Sequence, residues 1–429
     1  MLFHNLRKQK NIDISMSCVQ LRMNIVKDTE VVINGHVYDL KKFSEMHPGG
    51  KCALNIFGGK DATIHYHMLH QHLVAKHRFL DECKIRKFDE DQNHFIVDSE
   101  QFKELKRQIK ATVPYTFATA EWYIKAFIIM SLEISLEVCN ILYGFTYLKS
   151  LCLGILMALI GLCVQHDANH GAISPNGWVN FAWGLTQDWI GGSSLLWKHH
   201  HVLLHHAYTN LEGLDPDTTT DIIRVHVATL KKKVHKFQQF YIWFLLPLLP
   251  IKWHFNELCD LINMHHMGFP ISNMARKEAY LGIFMRFLFY IRFYVIPLYL
   301  HPSIHTLLCI FYSLAIGGFY LGVNFIISHN FVNVENVVNT ERDWAFTQLL
   351  TSSSVGGRLL GFFHGGLNYQ IEHHLFPRIC HVHYHKMQPI IQNWAKKHNL
   401  TYKKFDTLYD NILSCYQYLK VMGQNIKND

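Results

Sequence analysis

The distribution of apolar and charged positions divides the chain near residue 110. Residues 23–110 mix charged and apolar positions, as a small water-exposed domain does. After Pro114 long apolar stretches begin. Residues 150–166 and 293–334 contain no Asp, Glu, Lys or Arg at all. The hydrocarbon of a bilayer takes about 20 apolar residues per helix, so four spans are predicted, near 122–145, 148–165, 280–300 and 303–327. Two shorter apolar stretches, 178–197 with Asp188 and Gly191-Gly192 and 237–251 with Pro247 and Pro250, predict interfacial or half-inserted helices. Glu133 and Glu137 lie one turn apart on the first span, which points that face into the bundle.

The loops carry a topology. The segment between the second and third spans holds Lys198, Arg224, Lys231, Lys232, Lys233, Lys236, Lys252, Arg276 and Lys277, whereas the turn at 300–303 has no charge. By the positive-inside rule the long segment and both termini are cytosolic. The fold expected is multi-domain, with an extension over 1–22, a small α+β domain over 23–100 and an all-α integral membrane domain over 101–429 with a cytosolic helical cap.

Composition sharpens this picture. Of 429 residues only 17% are charged, while 31 are histidine. Imidazole is the commonest metal ligand, so this excess asks for a chemical reading. The ten cysteines include no Cys-x-x-Cys pair, which excludes a zinc knuckle or disulfide framework and fits a reducing compartment. The net charge of +8 comes with no nucleic-acid-binding motif. The first residues, MLFHNLRKQKNIDISMS, lack the apolar core of a secretory signal.

In the first domain, VVINGHVYDLKKFSEMHPGG reads as a strand, a turn at Asn34-Gly35, a second strand and a loop. That loop carries His47 among glycines that permit close approach of a flat ligand, and His65, His67, His70 and His72 follow on a helical stretch. Such a loop and helix can supply two imidazoles to a haem. The run INGHVYDLKKFSEMHPGG, followed by Gly59-x-Asp61-Ala62-Thr63, resembles cytochrome b5 over residues 25–100. The resemblance implies haem b with His47 as one axial ligand. Alignment on the Asp-Ala-Thr step puts the second on His70, with His67 and His72 as alternatives on the same helix. Ile64 departs from the acidic residue usual after that step. Two axial imidazoles leave the iron no open position, so the domain is expected to pass electrons.

Three histidine clusters mark the membrane domain. They are His166-Asp167-Ala168-Asn169-His170 after the second span, His201-Val202-Leu203-Leu204-His205-His206, and Gln370-Ile371-Glu372-His373-His374. On α-helices His166 and His170 share a face, as do His201 and His205, with His206 turned by one residue. All three fall on the cytosolic side, and their imidazoles exceed what one zinc needs, so two irons are the economical reading. His226, His265-His266, His381, His383 and His385 have no assignment by spacing.

These boxes behind a fused cytochrome b5 resemble the front-end fatty-acyl desaturases from about residue 25 to 400, and the glutamine opening the third box is the most specific marker. The resemblance implies metal ligation and catalysis by His166, His170, His201, His205, His206, His373 and His374 with Gln370. His329, at the cytosolic end of the fourth span, is a further candidate ligand, and His199 and His200 belong to the surrounding shell. It also implies two non-haem irons, dioxygen, and electrons from NADH through a cytochrome b5 reductase. The product is a cis double bond between the carboxyl end and an existing double bond of an unsaturated acyl-CoA or phospholipid-bound chain, made in the endoplasmic reticulum. Removing hydrogen from an unactivated methylene is beyond any side chain, so the cofactor carries it. Trp183, Trp189, Trp197, Phe362 and Phe363 are candidate walls of an acyl tunnel. Gln165, the IGGSS run and Gly365-Gly366-Leu367 look more like Δ4, Δ5 or Δ8 members than plant Δ6 ones. The competing readings are a sphingolipid long-chain-base desaturase, a lipid hydroxylase of the same di-iron type, and a non-enzymatic membrane haem carrier.

Overall fold

The computed structural model describes residues 25–47, 49–70, 80–88 and 95–424; His72 and the extension over 1–22 lie outside the described residues. Asn34 and Gly35 both take positive φ, 49° and 69°, which matches the twist of a tight hairpin. They join β1 (Glu30–Ile33) to β2 (His36–Asp39), and β3 (Lys84–Lys87) completes an antiparallel sheet of order β1-β2-β3. Helix α1 (Leu40–Met46) starts where the Asp39 side chain accepts from the Lys42 amide, and ends at His47. Helix α2 (Thr63–Leu69) ends at His70, so the sheet carries the two imidazoles at two facing helix ends.

A linking helix, α3 (Glu100–Thr112), is capped by Ser99 and buries Phe102, Leu105 and Ile109 on one face. Four helices follow that are long and apolar enough to cross a bilayer: α4 (Ala120–Tyr143), α5 (Tyr147–Asn169), α6 (Asn273–Leu300) and α7 (Ile304–His329). They match the four predicted spans, with α5 and α6 reaching further toward the histidine-bearing side. Helix α4 is apolar outside and polar inside. Ile124, Phe127 and Ile128 are more than half exposed, while Lys125, Glu133 and Glu137 are buried. Trp189 Nε1 donates to Glu133 at 2.8 Å and Arg292 pairs with Glu137 at 3.1 Å. The expected inward-facing carboxylates are therefore ion-paired and hydrogen-bonded structural groups, as charges at membrane depth must be. The two shorter apolar stretches form broken helices, Gly177–Gly184, Thr186–Trp189, Ser194–Trp197 and Gln238–Leu245, none long enough to span.

Helices α5 and α7 are the more enclosed pair and cross at glycines. A Cβ on Gly154 would meet the Ser313 carbonyl oxygen at 2.3 Å, and one on Gly317 would meet the Gly154 oxygen at 3.2 Å. Close backbone approach of this kind is how membrane helices gain packing without a hydrophobic driving force. The parallel pairing carries the carboxyl ends of α5 and α7, bearing His166 and His329, to the same end of the bundle. The sheet domain docks on that end. His65 Nε2 donates to the Leu203 carbonyl at 2.8 Å, Asn55 to Glu278 at 2.6 Å and Asn273 to Asp28 at 2.6 Å. At Gly177 a Cβ would lie 2.2 Å from the Gly49 carbonyl oxygen, so the His47 loop rests directly on the membrane domain.

Gly154→Val forces these helices apart; overpacking of this kind costs about 1–3 kcal/mol, so the expected result is a lower apparent Tm of the detergent-purified protein.

Candidate functional site

The first histidine box sits where α5 stops being a regular α-helix. Residues Ile160–Gln165 form a π-helical turn before His166–Asn169 return to α geometry. The second box is π-helical over Lys198–His205. A π turn bonds i to i+5, and such turns recur at functional sites. Here the His206 amide bonds the His201 carbonyl at 3.0 Å. This corrects the expectation drawn from α-helical spacing. His201 and His206 now face one point, their Nε2 atoms 3.1 Å apart, while His205 serves a neighbouring one.

The third box rests on two glycines. Gly365 and Gly366 have φ of 58° and 77°. A Cβ on Gly365 would meet the Leu162 oxygen at 2.0 Å, and one on Gly366 the His381 Cβ at 2.4 Å. The chain entering α8 (Gln370–Leu375) thus packs against the π turn of the first box. Three segments distant in sequence converge as a result.

They form two adjoining clusters. Ligand atoms of His166, His170, His201 and His373 lie within 4.8 Å of one another, and so do those of His205, His329 and His374. Nε2 of His206 is 2.9 Å from that of His373, and Nε2 of His166 is 3.3 Å from that of His201. His206 stacks on His374 at 4.3 Å between ring centroids, which joins the clusters. Gln370 Nε2 lies 2.9 Å from His329 Nε2 and 3.1 Å from His374 Nε2, while its Oε1 is buried without a partner. His329, a candidate by position alone in the sequence, lies inside the second cluster.

Outer groups orient these rings. His329 Nδ1 donates to the Thr351 carbonyl and His374 Nδ1 to Gln348 Oε1, each at 2.9 Å. His205 Nδ1 donates to Asp215 at 3.1 Å, and His373 Nδ1 shares a hydrogen bond of 3.0 Å with the Tyr384 hydroxyl. A proton on Nδ1 leaves a lone pair on Nε2, so three lone pairs in the second cluster meet in a buried space. Burial first, and then neighbouring imidazoles, hold His170, His201, His206, His373 and His374 well below the ordinary imidazole pKa. His205 differs. Burial opposes its cation, but Asp215 and Asp217 outweigh burial and push its pKa up to about 9. Imidazole nitrogens converging at metal–ligand spacing, four of the rings braced from behind, fit a pair of cations. His170 Nδ1 and Nε2, His166 Nδ1 and His206 Nδ1 have no hydrogen-bond partner among the described residues, in keeping with that role.

Sequence reading missed the bracing groups. Asp215 and Asp217 lie nine and eleven residues beyond the second box, yet no pattern ties them to His205. His200, expected in the surrounding shell, donates to Asp217 at 2.8 Å, and His199 donates to the Pro270 carbonyl at 3.2 Å. His381 faces Asp167 inside the first box, and His266 pairs with Asp260 at 2.7 Å. Of the proposed tunnel walls only Trp197 lies against the clusters, 4.5 Å from the His201 ring. Trp183 packs on Trp122, Trp189 holds Glu133, and Phe362 and Phe363 are nearly half exposed.

Beside the clusters, His47 and His70 face each other with ring centroids 6.0 Å apart in a cavity of about 660 Å³. Two metal–nitrogen bonds of about 2 Å each require a centroid separation of roughly 6 Å, so this pair fits a bis-imidazole haem. Tyr66 accepts from His70 Nδ1 at 2.9 Å, leaving Nε2 for the iron. Burial first, then each other's charge and that of Arg378, lower His47 to about 3; burial and Arg378 lower His70 to about 4. His67 instead bonds Asn34 at 2.9 Å and is not part of the facing pair.

Asp215→Asn removes the carboxylate behind His205 and should lower metal affinity 10–100-fold while the haem spectrum stays unchanged, measured as non-haem iron per haem.

The comparisons with known proteins agree with this geometry. The fatty acid desaturase family matches residues 145–406, and the cytochrome b5-like haem/steroid binding domain matches residues 22–89. The acyl-lipid (7-3)-desaturase of Rebecca salina is 37% identical over 408 residues, covering 92% of this chain and 90% of that protein. The protein of the same name from Diacronema lutheri is 36% identical over 401 residues, covering 91% and 90%. Delta(5) fatty acid desaturase A of Dictyostelium discoideum is 29% identical over 433 residues, covering 94% and 92%. The chain belongs to the fatty acid desaturase family, as an acyl-lipid front-end desaturase with a fused cytochrome b5-like domain.

Proposed function

We propose that this protein inserts a cis double bond between the carboxyl end and an existing double bond of a polyunsaturated acyl chain carried on a membrane lipid. The observation that carries the reading is the pair of adjoining imidazole clusters at the end of the membrane bundle, next to a bis-imidazole haem cavity. His166, His170, His201, His206 and His373 would hold one iron, and His205, His329, His374 and Gln370 the other. When bound, such a pair supplies the dioxygen-dependent hydrogen removal that side chains lack.

The chain's own residues set the conditions for that chemistry. Burial keeps water from the clusters, and the imidazoles held neutral are ready to ligate without losing protons, whereas His205 gives up one proton to do so. The carboxylates of Asp215 and Asp217 make His205 the most basic donor of the set. Trp197 forms an apolar wall directly against His166, His170 and His201, where a methylene pair has to lie. Electrons reach the haem from NADH through a separate reductase. The cluster-bearing side, with both termini, is cytosolic by its Lys and Arg excess, and the membrane is that of the endoplasmic reticulum. The named activity of the Rebecca salina and Diacronema lutheri relatives favours (7-3) regiochemistry over the Delta(5) position.

Expression in yeast supplied with individual C18–C22 polyunsaturated fatty acids, followed by gas chromatography of the methyl esters, tests this. A new double bond is expected with the substrate of the (7-3) relatives. No new bond in any acyl chain overturns the reading, and an altered long-chain base points to a sphingolipid substrate instead. His47→Ala should abolish turnover while non-haem iron stays bound; surviving turnover would mean that a free carrier replaces the fused domain.

A further inference from the structure

The haem cavity is not confined to the sheet domain. One end is lined by Val31, Ile33, Leu40 and Phe57, all buried and apolar. The other is lined by the membrane domain, and there the character changes to Lys198, Lys277 and Arg378, with Asn169 and His170 of the first box alongside. A b-type haem has the same polarity: an apolar macrocycle with two propionate carboxylates on a single edge. The apolar end of the cavity can take the ring only if the propionate edge turns to the membrane domain.

The cations at that end lack partners. Lys198 is 9% exposed, yet among the described residues it makes no ion pair or hydrogen bond, and its ammonium lies 6.0 Å from the Phe181 ring. Arg378 is half-buried and likewise has no ion pair or hydrogen bond among the described residues. One carboxylate, Glu278, lines the same end, but its Oε1 accepts from Asn55 at 2.6 Å. Lys277 is exposed to water, so the two cations withdrawn from it are Lys198, which Glu278 and Asp188 attract without direct contact, and Arg378. A charge withdrawn from water without a counter-charge costs several kcal/mol, so such groups persist where an anion completes them. Burial already lowers the pKa of both Lys198 and Arg378, and an anion would reverse that penalty.

We propose that Lys198 and Arg378 of the membrane domain bind the two haem propionates, so that the haem site is completed only by the docked pair of domains and the haem edge is held beside His170. The inference rests on the haem reading of His47 and His70 and goes beyond it, because it assigns part of the haem site to residues outside the cytochrome b5-like region. It also gives the contact between Gly49 and Gly177 a purpose, since that contact sets the cavity's two ends in register.

The test uses full-length protein in detergent: wild type, Arg378→Gln, Arg378→Lys and the double variant Lys198→Gln/Arg378→Gln. Haem transfer to excess apomyoglobin gives the dissociation rate, and spectroelectrochemistry gives the midpoint potential. Loss of a charge-assisted bond predicts roughly tenfold or faster haem loss in Arg378→Gln and a midpoint moved to more negative values, both largely restored in Arg378→Lys. Wild-type protein reconstituted with haem dimethyl ester, which has no carboxylates, should lose its haem as fast as the double variant. That arm needs no substitution and therefore does not depend on a variant folding. Equal haem loss within twofold for wild type, double variant and ester, with unchanged potential, overturns the proposal. Absence of a bis-imidazole b-type spectrum in wild type overturns the underlying haem reading instead.

Discussion

The structure turns on eight imidazoles whose lone pairs meet in a space closed to water. Nitrogens of His201, His206 and His373 approach within 3.1 Å of a neighbour, and four of the eight rings have their other nitrogen fixed from outside, by Thr351, Gln348, Asp215 and Tyr384. Buried acceptors facing acceptors cost about 1–3 kcal/mol apiece, so the arrangement is stable as a holder of cations. Everything that surrounds it, from the glycine crossing to the π turns, serves to bring those nitrogens to one place.

The membrane supplies the frame and the irregular backbone supplies the aim. Helices α5 and α7 carry His166, His170 and His329 because close glycine packing keeps their ends level. On a regular helix His205 would share the i+4 face of His201 and His206 would be turned about 100° away from it. The π turn adds one residue per turn and moves His206 onto that face. Glu133, Glu137, Arg292 and Trp189 form a separate polar core within the spans, joined by the Trp189–Glu133 hydrogen bond and the Arg292–Glu137 ion pair.

The haem and the clusters share a wall. His170 lines the cavity that His47 and His70 enclose, and the His47 loop touches the membrane domain backbone at Gly177. The two histidine sites therefore adjoin across one contact, with the docking bonds of His65, Asn55 and Asn273 holding the alignment.

Much of this was legible in the chain because it is local. Long apolar runs, two of them free of charge, gave the four spans, Asn34-Gly35 gave the hairpin, and the box spacings gave the candidate ring donors. His329 was visible only as a histidine at a helix end. The bracing residues were invisible because Asp215, Gln348, Thr351 and Tyr384 are ordinary polar residues whose roles depend on which ring the fold sets beside them. Of the 31 histidines, several with no assignment by spacing proved to be such structural partners, His381 with Asp167 and His266 with Asp260. The sequence by itself determined which segments enter the bilayer and which side chains can bind iron, since both follow from composition and short spacing. Tertiary structure alone decided how the rings divide between two clusters and which basic side chains line the cavity of His47 and His70, because those depend on π-helical backbone and on contacts between segments hundreds of residues apart.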